Sequence, residues 1–431
     1  MPAYRLKKEI GLLEATLYGI GVILGAGIYA LIGVGAGTAG NALWISFLIG
    51  AVIATFTGFS YAELSSMYPK EAAEYVYTRH AFRKKLLAFI VQWLMLFVVI
   101  AGAATVALGF AGYWYFLFGG NLLFIGILLI AAMSFINYIG IKESARYNDI
   151  STIIESFGLV AIILLGAYYI NRNNLLESIN FFESPSGFHG ILSATTIVYF
   201  AFIGFENLVN ISEEAKDAHR TIPKALLISL AVSALIYVLV SISAVSILGS
   251  DVLAKSKAPL AEAAEKVIPK SSIVLSLIAL FATSNTVLIL LIVASRLVYG
   301  LSSNSLLPSA FSRIGGRGTP FISIITISGL AGLSLLILDI KRLAHLVDLG
   351  VFIVYIFVNM SVILLRYREP DMKRAFKAPL NIGRFPLLAF FGIVLNFGML
   401  YFYDLMTFAY GLILIVVGAA VYYIFNTKQK S

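Results

Sequence analysis

The chain has no cysteine among its 431 residues, which excludes disulfides, thiolate metal sites and cysteine nucleophiles. Histidine is almost as scarce. Its four copies, His80, His189, His219 and His345, lie in distant segments and cannot make a haem or binuclear metal centre. Charge is in short supply as well: 12% of residues are charged, where an ordinary soluble domain has about 25%. With 60% hydrophobic residues, a soluble globular protein is excluded. A bilayer span takes about 20 apolar residues and twelve spans roughly 240, close to the chain's whole hydrophobic complement.

Apolar runs separated by polar turns fall at about 11–37, 42–68, 86–117, 122–140, 149–170, 188–210, 225–249, 271–300, 319–338, 343–366, 385–403 and 405–425. They predict an all-α integral membrane protein with twelve transmembrane helices. None alternates with period two, which argues against an outer-membrane barrel. The first run follows Arg5, Lys7 and Lys8 without a small-residue cleavage site, so it is expected to be retained. An even span count puts both termini on one side. That side collects 24 of the 31 Lys and Arg residues, including Arg79, Arg83, Lys84 and Lys85 after the second span and Arg366, Arg368, Lys373, Arg374, Lys377 and Arg384 after the tenth. The other side has 7, among them Arg172, Lys257 and Arg342. The asymmetry predicts cytoplasmic termini in the cell membrane and explains the net charge of +9 without a nucleic-acid partner.

The first span, GLLEATLYGIGVILGAGIYALIGVGAG, holds eight glycines, with Gly25-Ala26-Gly27 near its middle. An interior glycine costs a helix up to about 1 kcal/mol relative to alanine, so a break there is expected. Close helix packing is the alternative use, with Gly19, Gly33, Gly35 and Gly37 its best candidates. The sixth span, with IVYFAFIGFENLVN, sets Gly204 beside Phe205 and Glu206 inside an apolar run. Interrupted first and sixth spans imply a repeat of five helices, and an odd repeat inverts: repeat one covers about 11–170 and repeat two about 188–366. Residues 1–366 would form the core, and 367–431 a cytoplasmic loop, two further helices and a tail. Such a pair of interruptions points to a transporter site. Freed backbone groups must line a cavity or bind something. Amides opening a half-helix suit a carboxylate and carbonyls closing the other suit an ammonium, the two ends of an amino acid.

At these residues the sequence resembles the amino acid-polyamine-organocation superfamily of transporters, which share the leucine-transporter fold. The matching stretches are GIGVILGAGIY at 19–29, YAELSSMYPKEAAEYVYTRHAF at 61–82, INYIGIKESARYND at 136–149, FAFIGFENLVNISEEAKDAHRTIPKAL at 200–226, ASRLVYGLSSNSLLP at 294–308 and LLRYREPDMKRAFKAP at 364–379. Glu71-Ala72-Ala73 stands where the family has two glycines, and Asp217-Ala218 where it has Asn-Pro. The resemblance implies that the carbonyl of Ile23 and the amides of Gly25, Ala26 and Gly27 hold substrate α-groups. It also implies that the carbonyls of Phe200, Ala201 and Ile203 take the ammonium, with Phe200 or Phe202 as the aromatic gate. A hydroxyl residue often stands at the position of Ala26 in relatives. A partner subunit, where relatives have one, would usually be disulfide-linked, and this chain offers no cysteine for that.

The intramembrane acids are Glu14, Glu63, Glu155, Glu206 and Asp348. For Glu14 and Glu63, near cytoplasmic ends, snorkelling or pairing with loop arginines is expected. Glu155, in DISTIIESFGLVAIILL, falls where the fold's second sodium site lies, and the residues leave three readings open. It could load and release a proton, stay a neutral hydrogen-bonded carboxyl, or bind sodium with Ser284 and Asn285 of FATSNTVL. Glu206 suits a structural, gating or proton-binding role, and Asp348 is expected to pair with Arg342. The apolar third span around Leu96 to Ile100 favours neutral substrates, whereas a free acid would favour cationic ones. An enzyme would need a nucleophile, base or metal constellation, and no HExxH motif or paired histidine is there. A channel would need filter motifs or rings of charge. The expectation is a secondary transporter of amino acids, a proton symporter or, alternatively, an amino acid or polyamine exchanger or a sodium-coupled carrier, with no cofactor and no metal.

Overall fold

The computed structural model describes residues 10–69, 73–173 and 179–427. Lys70, Glu71 and Ala72, and the tails with Arg5, Lys7, Lys8, Lys428 and Lys430, lie outside the described residues, as do the side chains of Lys142 and Arg146. Among the described residues there are fifteen α-helices: α1 (Leu12–Ala39), α2 (Leu43–Met67), α3 (Ala73–Phe82), α4 (Lys85–Phe118), α5 (Leu122–Ile139), α6 (Ile141–Arg172), α7 (Gly187–Val198), α8 (Ala218–Leu248), α9 (Ser250–Lys255), α10 (Pro259–Val267), α11 (Ser271–Ser303), α12 (Phe321–Ile337), α13 (Ile340–Arg368), α14 (Leu387–Met399) and α15 (Leu405–Thr427). A two-residue antiparallel pair, β1 (Asn381–Ile382) with β2 (Phe385–Pro386), closes the turn before α14.

Nine helical stretches among the described residues are long and apolar enough to cross a membrane. The first, Leu12–Met67, runs 56 residues and takes in both α1 and α2, while Phe321–Ile337 and Leu387–Phe402 are shorter apolar helices. Ile153, Phe157, Leu164, Phe397 and Leu405 are exposed on outer faces, as suits a bundle solvated by lipid chains rather than water.

The helices interlock through small residues. A Cβ at Gly33 would lie 2.6 Å from the Leu253 carbonyl oxygen, and one at Gly35 2.6 Å from a Val198 methyl. These glycines thus take the close-packing role open to them in the sequence. α2 packs on α8, α4 on α11 and α13, α14 on α2 and α13, and α15 on α4 and α13. The short helices α3, α9 and α10 form where the sequence predicts connections. In α10, Leu260, Ala261 and Ala264 are buried at helical spacing, which folds the segment back onto the bundle.

Candidate substrate-binding site

α1 leaves helical geometry at Gly25, where φ is 3° and ψ is −165°. Beyond the end of α7 the chain tightens into a 3₁₀ turn at Tyr199–Phe202, Ile203 is extended (φ −64°, ψ 133°), and a second 3₁₀ segment runs over Phe205–Glu214. Between them Gly204 has φ 128°, a conformation open to glycine and strained for other residues. A Cβ at Gly204 would stand 2.9 Å from the Val22 carbonyl oxygen, and one at Gly27 would stand 2.6 Å from Ala201 Cα. Glycine therefore lets the two interrupted segments touch backbone to backbone.

Side chains from neighbouring helices take up several of the freed polar groups. The Tyr237 hydroxyl of α8 faces two carbonyls, Ile23 O and Ala201 O, and shares its one proton between them; the bond to Ala201 is 2.8 Å. The Ala26 N–H donates to Thr286 Oγ1 of α11 at 2.9 Å, and that hydroxyl donates to Ala282 O at 3.1 Å. Glu206 Oε2 accepts the Gly204 N–H at 3.0 Å and the Tyr355 hydroxyl at 2.9 Å, while Oε1 has no partner among the described residues.

A cavity of about 40 Å³ opens between the interruptions, above the roughly 10–15 Å³ that one water needs. One wall is Gly21 to Gly27 and another is Phe200 to Asn207. Val98, Val99 and Gly102 of α4, Ile289 and Leu290 of α11 and Val347 of α13 complete it with apolar surface. Glu206, Asn207 and Thr286 supply its polar side chains.

Of the residues singled out in the sequence, Ile23, Gly25, Ala26, Gly27, Phe200, Ala201, Ile203 and Glu206 line this cavity. Of the two gate candidates, Phe200 is at the cavity. Phe202 is fully buried away from it, edge-on to Tyr237 at 5.2 Å. Glu155 is fully buried outside the lining, and neither carboxylate oxygen has a partner among the described residues; its backbone carbonyl accepts the Tyr29 hydroxyl at 3.0 Å. Ser284 meets the Tyr147 hydroxyl at 2.6 Å, and Asn285 donates to Asn148 Oδ1 at 3.0 Å, so both are tied to the start of α6.

The remaining acids divide. Glu63 pairs with loop-side arginines, Arg366 at 2.5 Å and Arg374 at 3.3 Å. Glu14 is exposed and instead accepts the Gly11 N–H at 3.0 Å, capping α1. The expected Asp348–Arg342 pair does not form. Six residues turn a helix by about 600°, so the two side chains leave α13 about 120° apart. Arg342 stays at the surface with Asp339 at 3.7 Å, and Asp348 is fully buried with no partner for either oxygen among the described residues. Sequence reasoning missed Tyr237 and Thr286. Tyr237 did carry a signal, as the single aromatic in the apolar run of α8.

A helical membrane protein whose two interrupted segments enclose a largely apolar cavity, edged by backbone polar groups, has the build of a small-molecule transporter. The profile of the amino acid permease family matches residues 10–425. The chain belongs to that family, within the amino acid-polyamine-organocation superfamily, and is a multi-pass membrane transport protein rather than an enzyme. It is 28% identical to a branched-chain amino acid permease, BcaP, of Bacillus subtilis, over 99% of this chain and 94% of that one. A methylthioribose transporter of the same organism is 27% identical over 99% and 95%. Cationic amino acid transporter 4 of Mus musculus is 28% identical over 84% of this chain and 60% of its own length.

Proposed function

We propose that the protein is a secondary active transporter that moves neutral amino acids across the cytoplasmic membrane by alternating access, in symport with protons. The observation that carries the reading is the cavity itself. Its ends are backbone at Gly25–Gly27 and Phe200–Gly204, which can recognise α-carboxylate and α-ammonium without a charged side chain. Its walls at Val98, Val99, Ile289, Leu290 and Val347 suit an aliphatic side chain. The chain crosses the membrane twelve times, with helices one to five and six to ten as inverted repeats, and α1, α2, the α7 segment and α8 rock as a bundle against the rest. Glu155 carries the coupled proton, since a fully buried carboxyl without a partner is costly as a charge and suits a group that cycles with its proton.

The test is uptake of radiolabelled leucine into proteoliposomes without sodium, with and without an inward proton gradient, for wild type and Glu155→Gln. Gradient-driven accumulation lost in the variant supports symport through Glu155. Uptake that ignores the gradient but requires preloaded amino acid replaces symport by exchange and returns Glu155 to a structural role. A cationic substrate is a second reading, favoured by the unpartnered Glu206 Oε1 in the cavity wall; competition of leucine uptake by lysine decides it.

A further inference from the structure

Glu155 is not the only buried acid without a partner. On the other side of the cavity, Asp348 of α13 is fully buried, and both of its oxygens lack hydrogen-bond partners among the described residues. Its neighbour in the chain, Val347, lines the cavity. Two more orphaned polar atoms gather around it: the Tyr199 hydroxyl and His345 Nε2. Three unsatisfied polar groups in one buried region are exceptional for a protein interior, and here they form a row. The Tyr199 hydroxyl is within electrostatic reach of both Asp348 and Glu206. Tyr199 lies 6.5 Å, edge-on, from the ring of Tyr355, whose hydroxyl donates to Glu206 in the cavity wall. At the other end His345, three residues before Asp348, is half-buried and edge-on to Tyr403 at 5.4 Å, with Asp339, Lys341 and Asp404 within reach at the surface.

We propose that Asp348 and Tyr199 form a proton relay, entered at His345, that connects the surface at the start of α13 with Glu206 in the substrate cavity. The inference rests on the proton-coupled reading above and adds a proton path separate from Glu155. A proton taken up by His345 passes to the Asp348 carboxylate, which then exists as the neutral acid. The Tyr199 hydroxyl hands one proton to Glu206 as it receives one from Asp348, so no charge is stranded. The titratable and charged groups facing this row are Tyr403 and Asp404 from the turn before α15, Tyr61 from α2 against Tyr355, Glu74 from α3 behind Tyr61, and Lys341 and Arg342 on α13 itself. From α4 and α15 the same stretch of α13 meets Val98 and Gly411, which do not titrate.

The test uses the full chain in proteoliposomes. An inward gradient of one pH unit supports about tenfold accumulation per coupled proton, since about 1.4 kcal/mol is a factor of ten. Leucine counterflow at equal pH, which needs no net proton, serves as the reference. In Asp348→Asn and Tyr199→Phe the gradient-driven accumulation falls to background, a far larger loss than in counterflow, and Asp348→Glu regains it. Infrared difference spectra of the solubilised wild type between acid and neutral pH carry a protonated-carboxyl band that Asp348→Asn removes. Variants that accumulate leucine as wild type does, or an infrared band unchanged in Asp348→Asn, overturn the relay. So does equal loss of counterflow and accumulation in Asp348→Asn and Asp348→Glu alike, which marks a structural carboxyl. If wild type ignores the gradient while the band is present and lost in Asp348→Asn, symport falls and the proton site stands. If the gradient drives wild type and Asp348→Asn equally, the relay falls and coupling through Glu155 stands.

Discussion

Gly27 shows how one missing methyl group sets the geometry of the site. A methyl there would press on the backbone of Ala201, which has nowhere to go without moving the cavity wall. Gly27→Ala is expected to destabilise by ~1–3 kcal/mol, the usual range for overpacking, and to lower leucine counterflow. Gly300 is the control: it sits in helix α11, and a Cβ there meets nothing within 4 Å. Gly300→Ala is expected to leave the unfolding temperature unchanged or raise it slightly, by up to about 1 kcal/mol of helix propensity. Equal behaviour of the two variants in a thermal melt would contradict the contact. Tyr237→Phe probes the opposite case, removal of a donor. It strips the hydroxyl from two buried carbonyls, Ile23 O and Ala201 O, and an orphaned buried group costs about 1–3 kcal/mol. If those carbonyls belong to the substrate, leucine affinity also changes in this variant; a melt shift with unaltered affinity would separate the brace from the site. The glycines were legible in the sequence because a helix tolerates them poorly. Tyr237 and Thr286 were not, because their role depends on which helix lies opposite, which local pattern does not encode.

Between elements, the strongest polar joint lies where α2 and α13 end. Glu63 accepts Arg366 Nε at 2.8 Å and Nη2 at 2.5 Å, takes the Ala378 N–H at 2.9 Å, and stands 3.3 Å from Arg374, so one carboxylate fastens α2 to α13 and to the connection before α14. Glu63→Gln leaves buried Arg366 without its counter-charge and is expected to destabilise by about 3 kcal/mol, in the range for breaking a buried pair. A melting temperature within error of wild type would show that the joint is dispensable. That a loop arginine would meet Glu63 could be read from the sequence; that Arg342 would not meet Asp348 needed the rotation of α13. α3 supplies a pH-dependent joint of its own. Glu74 is buried there and accepts the Tyr61 hydroxyl at 2.9 Å, and burial holds its carboxyl above the ordinary value of 4.5. The folded chain thus binds this proton more tightly than the unfolded one. Its contribution is full below about pH 4.5 and is lost as pH rises through the folded group's own value. Glu74→Gln is expected to flatten that part of the stability profile, so the difference between wild-type and variant melting temperatures should change with pH. A constant difference would mean that Glu74 does not titrate there.

At the scale of the molecule, the membrane class and the course of the helices were legible because lipid forces both length and apolarity on every span. The folded-back helices α9 and α10 were not, since they are too short and too mixed in composition to stand out from a connection. Orientation rests on the distribution of Lys and Arg, and the absence of cysteine makes it directly measurable: any cysteine introduced is a unique reporter. Asn173, just past α6, and Gly316, between α11 and α12, are both exposed, and the space around Gly316 is open. Three spans separate them in the proposed topology, the α7 segment, α8 and α11, so they face opposite sides. Arg313 and Arg317 flank Gly316, which places it with the basic, cytoplasmic connections. In intact cells Asn173→Cys is expected to react with a membrane-impermeant maleimide, and Gly316→Cys only after permeabilisation. The reverse pattern would invert the molecule. Labelling of both from outside would mean an even number of crossings between them, which would break the inverted repeat at its second half and with it the pairing of the two interrupted helices.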